Sequence, residues 1–125
     1  MIRGIGIDVV SVARLTGLLE RFEERAAQRL FSPEEQQECD GRASKNECLA
    51  ARFAAKEAFV KALGTGLAGG MRWRDMVVDS DPRGRPELRL AGAAEERFRE
   101  IGGERIHVSL SHDAGVAVAV VVIEG

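Results

Sequence analysis

The sequence predicts an α+β fold in which a mainly antiparallel sheet packs against one long central helix. The alanine-rich segment 50–66 has helical character, and its small side chains let neighbouring backbones approach closely. A β-branched segment lies near the N-terminus, and two later pairs of strand-like segments are each joined by a turn. Because those strands are joined by turns rather than by helical crossovers, the sheet is expected to be mainly antiparallel.

The length of 125 residues indicates a single domain, residues 1–125, large enough for a core without metal or disulfide support. The net charge of −2 gives no reason to expect nucleic-acid or membrane binding. The apolar segment 116–123 is too short to span a bilayer, and no signal peptide is expected. Cys39 and Cys48 fit neither a metal motif nor a disulfide framework, so a reducing cytoplasm is expected.

The first predicted element is a strand over Ile2 to Val12, where β-branched residues dominate. Gly4 and Gly6 interrupt it, which indicates close approach of another backbone or of a ligand. Asp8 lies inside this strand, where a carboxylate needs a compensating partner. The alternative is that Asp8 caps the following helix.

A helix is predicted next, over residues 13–30, from an apolar stripe of Leu15, Leu18, Leu19 and Phe22. If this helix is continuous, four arginines fall within about 80° of one another at about 100° per residue: Arg14, Arg21, Arg25 and Arg29. A basic stripe can dock an acidic partner, and a solvated face is the alternative. Gly17 leaves the continuity of the helix open.

A second helix is predicted to start at Ser32, because Pro33 and Glu35 occupy the first and third helical positions. It should end near Asp40 and Gly41.

The long helix is predicted to start at Ser44, where Glu47 completes a second capping-box pattern. Gly64 or Gly66 should end it. The glycine-rich segment 64–70 then forms a loop whose backbone N–H groups could reach a phosphate, with an ordinary loop as the alternative.

The long helix also carries charged residues among its alanines: Arg52, Lys56, Glu57 and Lys61. Buried charges need partners, so these residues indicate a site. Glu57 and Lys61 are four residues apart and could instead form an ordinary ion pair on a solvated helix face, worth about 0.3–0.5 kcal/mol.

The remaining elements are predicted as strands over 76–80 and 87–90, a helix over 91–101, and strands over 105–111 and 116–123. The last strand is apolar on both faces, so it should be central and covered on both sides. In the strand before it, three polar residues alternate with apolar ones and predict one polar face: His107, Ser109 and Ser111. His112 and Asp113 belong to the predicted turn 112–115.

Two carboxylates from different elements, Asp8 and Glu57, suit a hard cation such as Mg²⁺ that also binds substrate phosphates. Lys61 could neutralise a phosphate, and His107, Ser109 and His112 could add donors or a general base. The chain has no P-loop, kinase signature or nucleophile elbow. The residues alone therefore predict a Mg²⁺-dependent enzyme that acts on a phosphate-containing substrate.

Three motifs resemble the holo-[acyl-carrier-protein] synthase family, the short bacterial class of 4′-phosphopantetheinyl transferases. They are Gly-Ile-Gly-Ile-Asp-Val-Val from Gly4, Arg-Phe-Ala-Ala-Lys-Glu-Ala-Phe-Val-Lys-Ala-Leu-Gly-Thr-Gly from Arg52, and His-Val-Ser-Leu-Ser-His-Asp from His107. The resemblance covers essentially the whole chain, and the middle motif is the most specific. It implies the 4′-phosphopantetheinyl transferase fold and transfer of 4′-phosphopantetheine from coenzyme A to a serine of apo-acyl-carrier protein, releasing adenosine 3′,5′-bisphosphate.

The resemblance also implies roles for individual residues. Asp8 and Glu57 would hold Mg²⁺, and Lys61 would contact the pyrophosphate of coenzyme A. The nucleotide end of coenzyme A would meet four residues: Arg52, Gly64, His107 and Ser109. The remaining assignments are a proton-accepting or orienting role for His112 and Asp113, and contacts with acidic carrier residues for Arg14 and Arg21.

The family is usually a homotrimer with sites shared between chains, and its pathway would be fatty-acid or polyketide synthesis. Two other hypotheses stay open. One is a different Mg²⁺-dependent enzyme on a nucleotide substrate; the other is a non-catalytic trimeric module that binds coenzyme A or carrier protein. The Asp8, Glu57 and Lys61 set argues against the module, because a binder has little need of a metal site.

Overall fold

The computed structural model describes residues 1–125. In chain order its elements are β1 (Ile2–Ser11), α1 (Val12–Leu30), α2 (Pro33–Asp40), α3 (Lys45–Leu63), a 3-10 helix (Trp73–Asp75), β2 (Met76–Ser80), β3 (Pro86–Leu90), α4 (Gly92–Glu100), β4 (Arg105–Asp113) and β5 (Val116–Glu124). The predicted order of elements and the α+β class are confirmed. None of the helices could cross a membrane.

The strands form two antiparallel sheets, one with the order β1-β5-β4 and one made of β2 and β3. In the larger sheet Asp8 pairs with Ala119, which pairs with Leu110 on its other side. Directly paired residues point to the same face of a sheet. Asp8 therefore lies on the face that α3 covers, which we call the inner face.

Two glycines bring β1 into direct contact with α3. A Cβ added at Gly4 would overlap the carbonyl oxygen of Ala62, and one at Gly6 would overlap that of Ala58. The prediction that these glycines mark the approach of another backbone is confirmed. The alanines of α3 serve the same purpose from the other side, since larger side chains there would push the strand away.

The opposite face of the larger sheet, the outer face, is apolar and uncovered. Ile5, Ile7 and Val9 of β1 are 61%, 56% and 59% exposed. On β5 the inner residues are fully buried, whereas the alternate outer residues are only half-buried. The central position of β5 is confirmed, but the expectation that both its faces are covered is wrong for a single chain, because no element of the chain packs on the outer face.

Helix α1 is interrupted at Glu23, which has the non-helical angles φ 49° and ψ −130°. The open question of continuity is thus answered at Glu23 and not at Gly17. The interruption separates Arg14 and Arg21 from the two later arginines, so the predicted single basic stripe is wrong. The apolar stripe is also incompletely buried, because Leu18 and Phe22 are 39% and 44% exposed.

The two predicted capping boxes differ in outcome. Ser32 forms the predicted box: its hydroxyl accepts from the Glu35 N–H at 3.2 Å, and the Glu35 carboxylate accepts from the Ser32 N–H at 2.9 Å. Ser44 occupies the N-cap position of α3, but its side chain forms no capping hydrogen bond. Its predicted partner Glu47 instead contacts His112, with 3.1 Å between Oε1 and Nδ1.

Cys39 and Cys48 form a disulfide that joins the end of α2 to the first turn of α3. The expectation that these cysteines have no disulfide role is wrong. The two helices are joined by only a few residues, which brings the two Cα atoms to 5.5 Å, a separation usual for disulfides.

The β4–β5 hairpin is tighter than predicted. His112 and Asp113 belong to β4, and the turn consists of Ala114 and Gly115, with φ values of 49° and 81°. Two successive positive φ values are typical of a type I′ turn, whose twist matches that of the strands.

Candidate active site

Asp8 is 8% exposed on the inner face of the sheet. Its Oδ1 accepts from the Lys61 ammonium at 2.9 Å, whereas its Oδ2 is buried without any hydrogen-bond partner. The alternative that Asp8 caps α1 is wrong, because Ser11 is the cap and accepts from the Arg14 N–H at 3.2 Å. Asp8 is thus a buried carboxylate with one oxygen still available.

The side chain of Glu57, a residue of α3, lies next to that of Asp8 on β1. Burial raises the pKa of Glu57 above its usual value, and the negative charge of the neighbouring Asp8 raises this pKa further. The nearby Lys61 charge opposes the shift. Two carboxylates from β1 and α3 therefore share one partly buried place, which carries an excess of negative charge.

Lys61 projects from α3 toward β1. Its ammonium donates to the Ile7 carbonyl at 3.0 Å as well as to Asp8. The hydrogen bond and the charge of Asp8 raise the pKa of Lys61. Lys61 thus pairs across elements with Asp8, and the alternative of a simple Glu57–Lys61 pair on a solvated helix face is wrong.

The donor set of this place fits a divalent cation such as Mg²⁺. Asp8 and Glu57 repel one another when both are ionised, and the free Oδ2 of Asp8 lacks a partner. A hard cation with oxygen ligands would satisfy both conditions, and Mg²⁺ commonly takes one or two protein carboxylates. No group of three or more His, Cys, Asp or Glu side chains is placed to hold a metal, so further ligands would come from water and substrate.

His107 and Ser109 lie on the outer face, away from the carboxylates of the same chain. They pair with Val122 and Val120 of β5. The Nε2 of His107 is 3.0 Å from Glu124 Oε1, and this hydrogen bond lowers the pKa of Glu124. The structure therefore confirms the predicted polar face but does not bring these residues to Asp8 within one chain.

His112 lies on the inner face but is separated from Asp8 by two strand spacings and two residues, about 12 Å. Its ring contacts Glu47 at the start of α3. Asp113 is exposed beside the hairpin turn. The structure therefore does not place either residue next to the carboxylate pair of the same chain.

Arg52 is 5% exposed on α3. Its Nη2 is 3.0 Å from Glu38 Oε1, its Nη1 donates to the Cys48 Sγ at 3.1 Å, and its buried Nε lacks a partner. It borders a cleft of about 430 Å³ whose polar lining includes Arg42, Ser44, Glu47, Ser80 and His112. Arg52 is therefore anchored by an acidic neighbour at the edge of a polar cleft.

Gly64 ends α3 in the left-handed conformation, with φ 81°, one turn after Lys61. Arg14 and Arg21 are exposed on the segment of α1 that precedes the interruption at Glu23. The Arg21 guanidinium lies 5.2 Å from the centre of the Phe22 ring. This segment presents cationic and apolar groups together.

Lys56 is another charged residue of α3, and its partner could not be identified from the sequence. Lys56 is fully buried and its ammonium donates to Glu35 Oε1 at 2.6 Å. Burial lowers the pKa of Lys56, and the charge of Glu35 opposes that shift. The only sequence signal was a lysine inside an alanine-rich segment, which predicts a buried charge but not its partner on α2.

The family model of the 4′-phosphopantetheinyl transferase superfamily matches residues 4–121. The holo-[acyl-carrier-protein] synthase of Trichlorobacter lovleyi is 51% identical over 124 residues, covering 99% of this chain and 98% of that protein. The crystal structure of the synthase from Neisseria meningitidis superposes with a TM-score of 0.91 at 38% identity, covering 100% of both chains.

The synthase from Helicobacter pylori, whose crystal structure is a complex with coenzyme A, superposes with a TM-score of 0.84 at 34% identity. That match covers 96% of this chain and 99% of the Helicobacter chain. These likenesses extend over the whole fold, and the motifs that carry Asp8, Glu57 and Lys61 lie within the matched residues. The chain belongs to the 4′-phosphopantetheinyl transferase superfamily and, within it, to the holo-[acyl-carrier-protein] synthase family of enzymes.

Proposed function

We propose that this enzyme transfers 4′-phosphopantetheine from coenzyme A to a serine of apo-acyl-carrier protein, in a Mg²⁺-dependent reaction that releases adenosine 3′,5′-bisphosphate. The observation that carries the proposal is the placement of the Asp8 and Glu57 carboxylates side by side, with the Lys61 ammonium 2.9 Å from Asp8 Oδ1. Family membership supplies the reaction class. The proposed place of the reaction is the cytoplasm, in fatty-acid or polyketide synthesis.

Asp8 and Glu57 would hold Mg²⁺, which when bound supplies positive charge to the pyrophosphate of coenzyme A. Lys61 is half-exposed, and its ammonium donates to Asp8 and to the Ile7 carbonyl, so one N–H group remains to bind a phosphate oxygen. In the transition state this ammonium stabilises negative charge on the transferred phosphoryl group. Gly64, one turn later, leaves the backbone beside Lys61 open to the substrate.

The carrier serine attacks the β-phosphate and gives up its proton to a base. His112 and a water held by Glu57 are the two candidates. His112 is engaged with Glu47 about 12 Å from Asp8 in the same chain. Glu57 itself lies beside Asp8, so a water that it holds would be next to the reacting groups. The second candidate is therefore favoured within one chain.

We propose that the enzyme is a homotrimer whose outer sheet faces meet. The support is the uncovered outer face of the sheet, where Ile5, Ile7 and Val9, alternate residues of one strand, are all more than half exposed. Association would also explain how His107 and Ser109, which lie on this outer face, could serve the carboxylate site of a neighbouring chain as nucleotide contacts. Arg52 would contact the nucleotide end of coenzyme A from the rim of the polar cleft.

The assembly is tested by sedimentation equilibrium of the wild type and of Ile7→Asp. A trimer that dissociates in Ile7→Asp would support the proposal. Leu67→Asp, in an exposed loop, is the matched control because Leu67 is 39% exposed and outside the sheet. A wild-type monomer would contradict the trimer.

The carrier-binding surface is proposed to be the first segment of α1. Arg14 and Arg21 supply charge for acidic carrier residues, and Leu18 and Phe22 supply exposed apolar area on the same helix face. Asp113, exposed at the hairpin, would have at most an orienting role.

The transfer is tested by incubating the enzyme with coenzyme A, Mg²⁺ and apo-acyl-carrier protein, and measuring the carrier by mass spectrometry. A phosphopantetheine mass gain is expected, absent with EDTA and nearly absent in Glu57→Ala. Glu96→Ala, an exposed glutamate on α4, is the matched control and should keep full activity. A gain that survives EDTA and Glu57→Ala would refute the metal site, and no gain with several carriers would refute the transfer.

A further inference from the structure

Lys56 is a buried cation that the proposed mechanism does not use. It is fully buried on α3, directly before Glu57. All three N–H groups of its ammonium are engaged, with the Leu30 carbonyl at 2.6 Å, the Glu35 carboxylate at 2.6 Å and the Trp73 carbonyl at 3.2 Å. A lysine is almost never buried so completely unless its charge is paired, and here the pairing ties Lys56 to fixed neighbours.

The three acceptors belong to three separate segments. Leu30 ends α1, Glu35 belongs to α2, and Trp73 begins the 3-10 helix that follows the glycine-rich loop, residues 64–72. Glu35 is itself fixed, because its second oxygen accepts from the Val78 N–H at 2.9 Å. The network is therefore anchored on β2 and leaves Lys56 little freedom to move.

The glycine-rich loop depends on its two ends for its position. It leaves α3 at Gly64 and returns to the middle of α3 where the Trp73 carbonyl meets Lys56. Between these ends lie three further glycines with positive φ, and a Cβ added to any of the four would meet nothing within 4 Å: Gly64, Gly66, Gly69 and Gly70. Residues 64–70 are exposed, and Met71 beside the second end is buried in the core, so the position of the exposed backbone depends on how the ends are held.

We propose that Lys56 is a positioning residue for the glycine-rich loop, residues 64–72, and through it sets the affinity of the site for the pyrophosphate end of coenzyme A. The loop begins one turn after Lys61, the proposed pyrophosphate contact, so a shift of the loop changes the backbone presented to the phosphates. This inference rests on the proposed function. The affected quantity is the affinity for coenzyme A rather than the rate of the chemical step, because Lys56 faces away from the reacting groups.

The test is the double variant Lys56→Met with Glu35→Gln, which removes the link to Trp73 without leaving a buried charge unpaired. Lys45→Met is the matched control, since Lys45 is an exposed lysine at the start of the same helix. Coenzyme A binding is measured by titration calorimetry without carrier protein, and steady-state kinetics are measured well below the unfolding midpoint. Hydrogen exchange of residues 64–72 is followed by mass spectrometry.

The expected result is an increase of about tenfold in the Kd and KM for coenzyme A, the size of one lost hydrogen bond to a charged group. The kcat and the KM for the carrier should stay within about twofold, and exchange in residues 64–72 should accelerate. An unchanged Kd for coenzyme A, or a fall in kcat with unchanged KM, would overturn the proposal, because a merely structural role predicts lower stability alone.

If the double variant does not fold, Lys56→Gln with the native Glu35 is measured in the same way. A weaker affinity for coenzyme A with unchanged kcat would support the proposal, and an unchanged Kd or a fall in kcat alone would overturn it. Failure of the proposed function is distinguishable from failure of this inference. In the first case the wild type itself neither binds coenzyme A nor modifies the carrier. In the second case the wild type does both, and the variants bind coenzyme A as tightly as it does.

Discussion

Gly6 of β1 and Ala58 of α3 are in direct backbone contact, so close that a Cβ on Gly6 would overlap the Ala58 carbonyl oxygen. Asp8 follows Gly6 by two residues on the same strand face, and Glu57 directly precedes Ala58. The contact that sets the distance between strand and helix therefore also sets the distance between the two carboxylates.

Gly6→Ala should destabilise the fold by about 3 kcal/mol, because a rigid carbonyl oxygen, and not a flexible side chain, occupies the space of the new methyl group. Urea denaturation followed by circular dichroism measures the change. Any folded fraction should also have lost transferase activity, since the carboxylates are moved apart.

Gly17→Ala is the matched control for that experiment. Gly17 is exposed in α1 and has no atom within 4 Å of an added Cβ. The alanine should stabilise the fold by about 0.5–1 kcal/mol through its better helix propensity. Equal effects of the two substitutions would contradict the close packing of β1 on α3.

The raised pKa of Glu57 predicts a specific pH dependence of stability in the presence of EDTA. The folded state holds the Glu57 proton more tightly than the unfolded state, whose pKa is near the ordinary 4.5. Stability contributed by this group is therefore present at low pH and is lost as the pH rises from 4.5 through the folded pKa.

Thermal unfolding of the wild type and of Glu57→Gln across this pH range isolates the effect, because all other titrating groups are common to both proteins. The difference in unfolding midpoint should shift in favour of Glu57→Gln as the pH rises. Parallel curves would show that the Glu57 pKa is not raised by Asp8 and burial.

Arg21→Glu should raise the KM for the carrier by about tenfold or more, with little change in the KM for coenzyme A, because charge reversal repels an acidic docking surface. Steady-state kinetics with each substrate varied in turn give both constants. Arg83→Glu, in the exposed β2–β3 turn, is the charge-matched control. Equal KM values for the two variants would show that α1 does not bind the carrier.

Reduction of the Cys39–Cys48 disulfide should lower stability by about 2–3 kcal/mol, the size that a short ring with a sequence separation of 9 residues predicts. Denaturation with and without dithiothreitol measures this difference. Alkylation of freshly lysed cells followed by mass spectrometry gives the state in vivo. Two alkylated cysteines would fit the proposed cytoplasm, whereas a protected pair would argue against a reducing compartment.

Ala114→Asn should stabilise the fold by about 1 kcal/mol, because an alanine at φ 49° in a type I′ turn bears a left-handed strain that asparagine tolerates better. Chemical denaturation measures the change. Ala114→Val is the opposing control, since a β-branched residue tolerates positive φ poorly and should destabilise. A stabilising valine would contradict the turn geometry.

The helices and strands could be predicted from the sequence because local signals mark them. The pairings between distant residues could not be predicted in this way. The capping box at Ser32 and the strand glycines act over a few residues, so their pattern is visible in the sequence. Lys61 bonds to Asp8 across 53 residues, and Lys56 meets Glu35 across 21. Such pairs follow from packing, and no local pattern encodes them.

The same limit explains two wrong expectations. The Ser44 capping box has the right residues, but Glu47 gains a tertiary contact with His112 that competes with the local one. The pairing of Cys39 with Cys48 depends on how sharply the chain turns between α2 and α3, which the spacing of the cysteines alone does not determine.

The central place of β5 between β1 and β4 has a consequence for folding. In this sheet β1 pairs only with β5. Residues 2–11 therefore lack a partner strand until residues 116–124 are available. During synthesis on the ribosome, α1 to α3 can form early, but the sheet beneath them is completed only by a late long-range step. Contacts of such high sequence separation make folding slow, and until then the apolar edge of β1 is a surface that chaperones would be expected to shield.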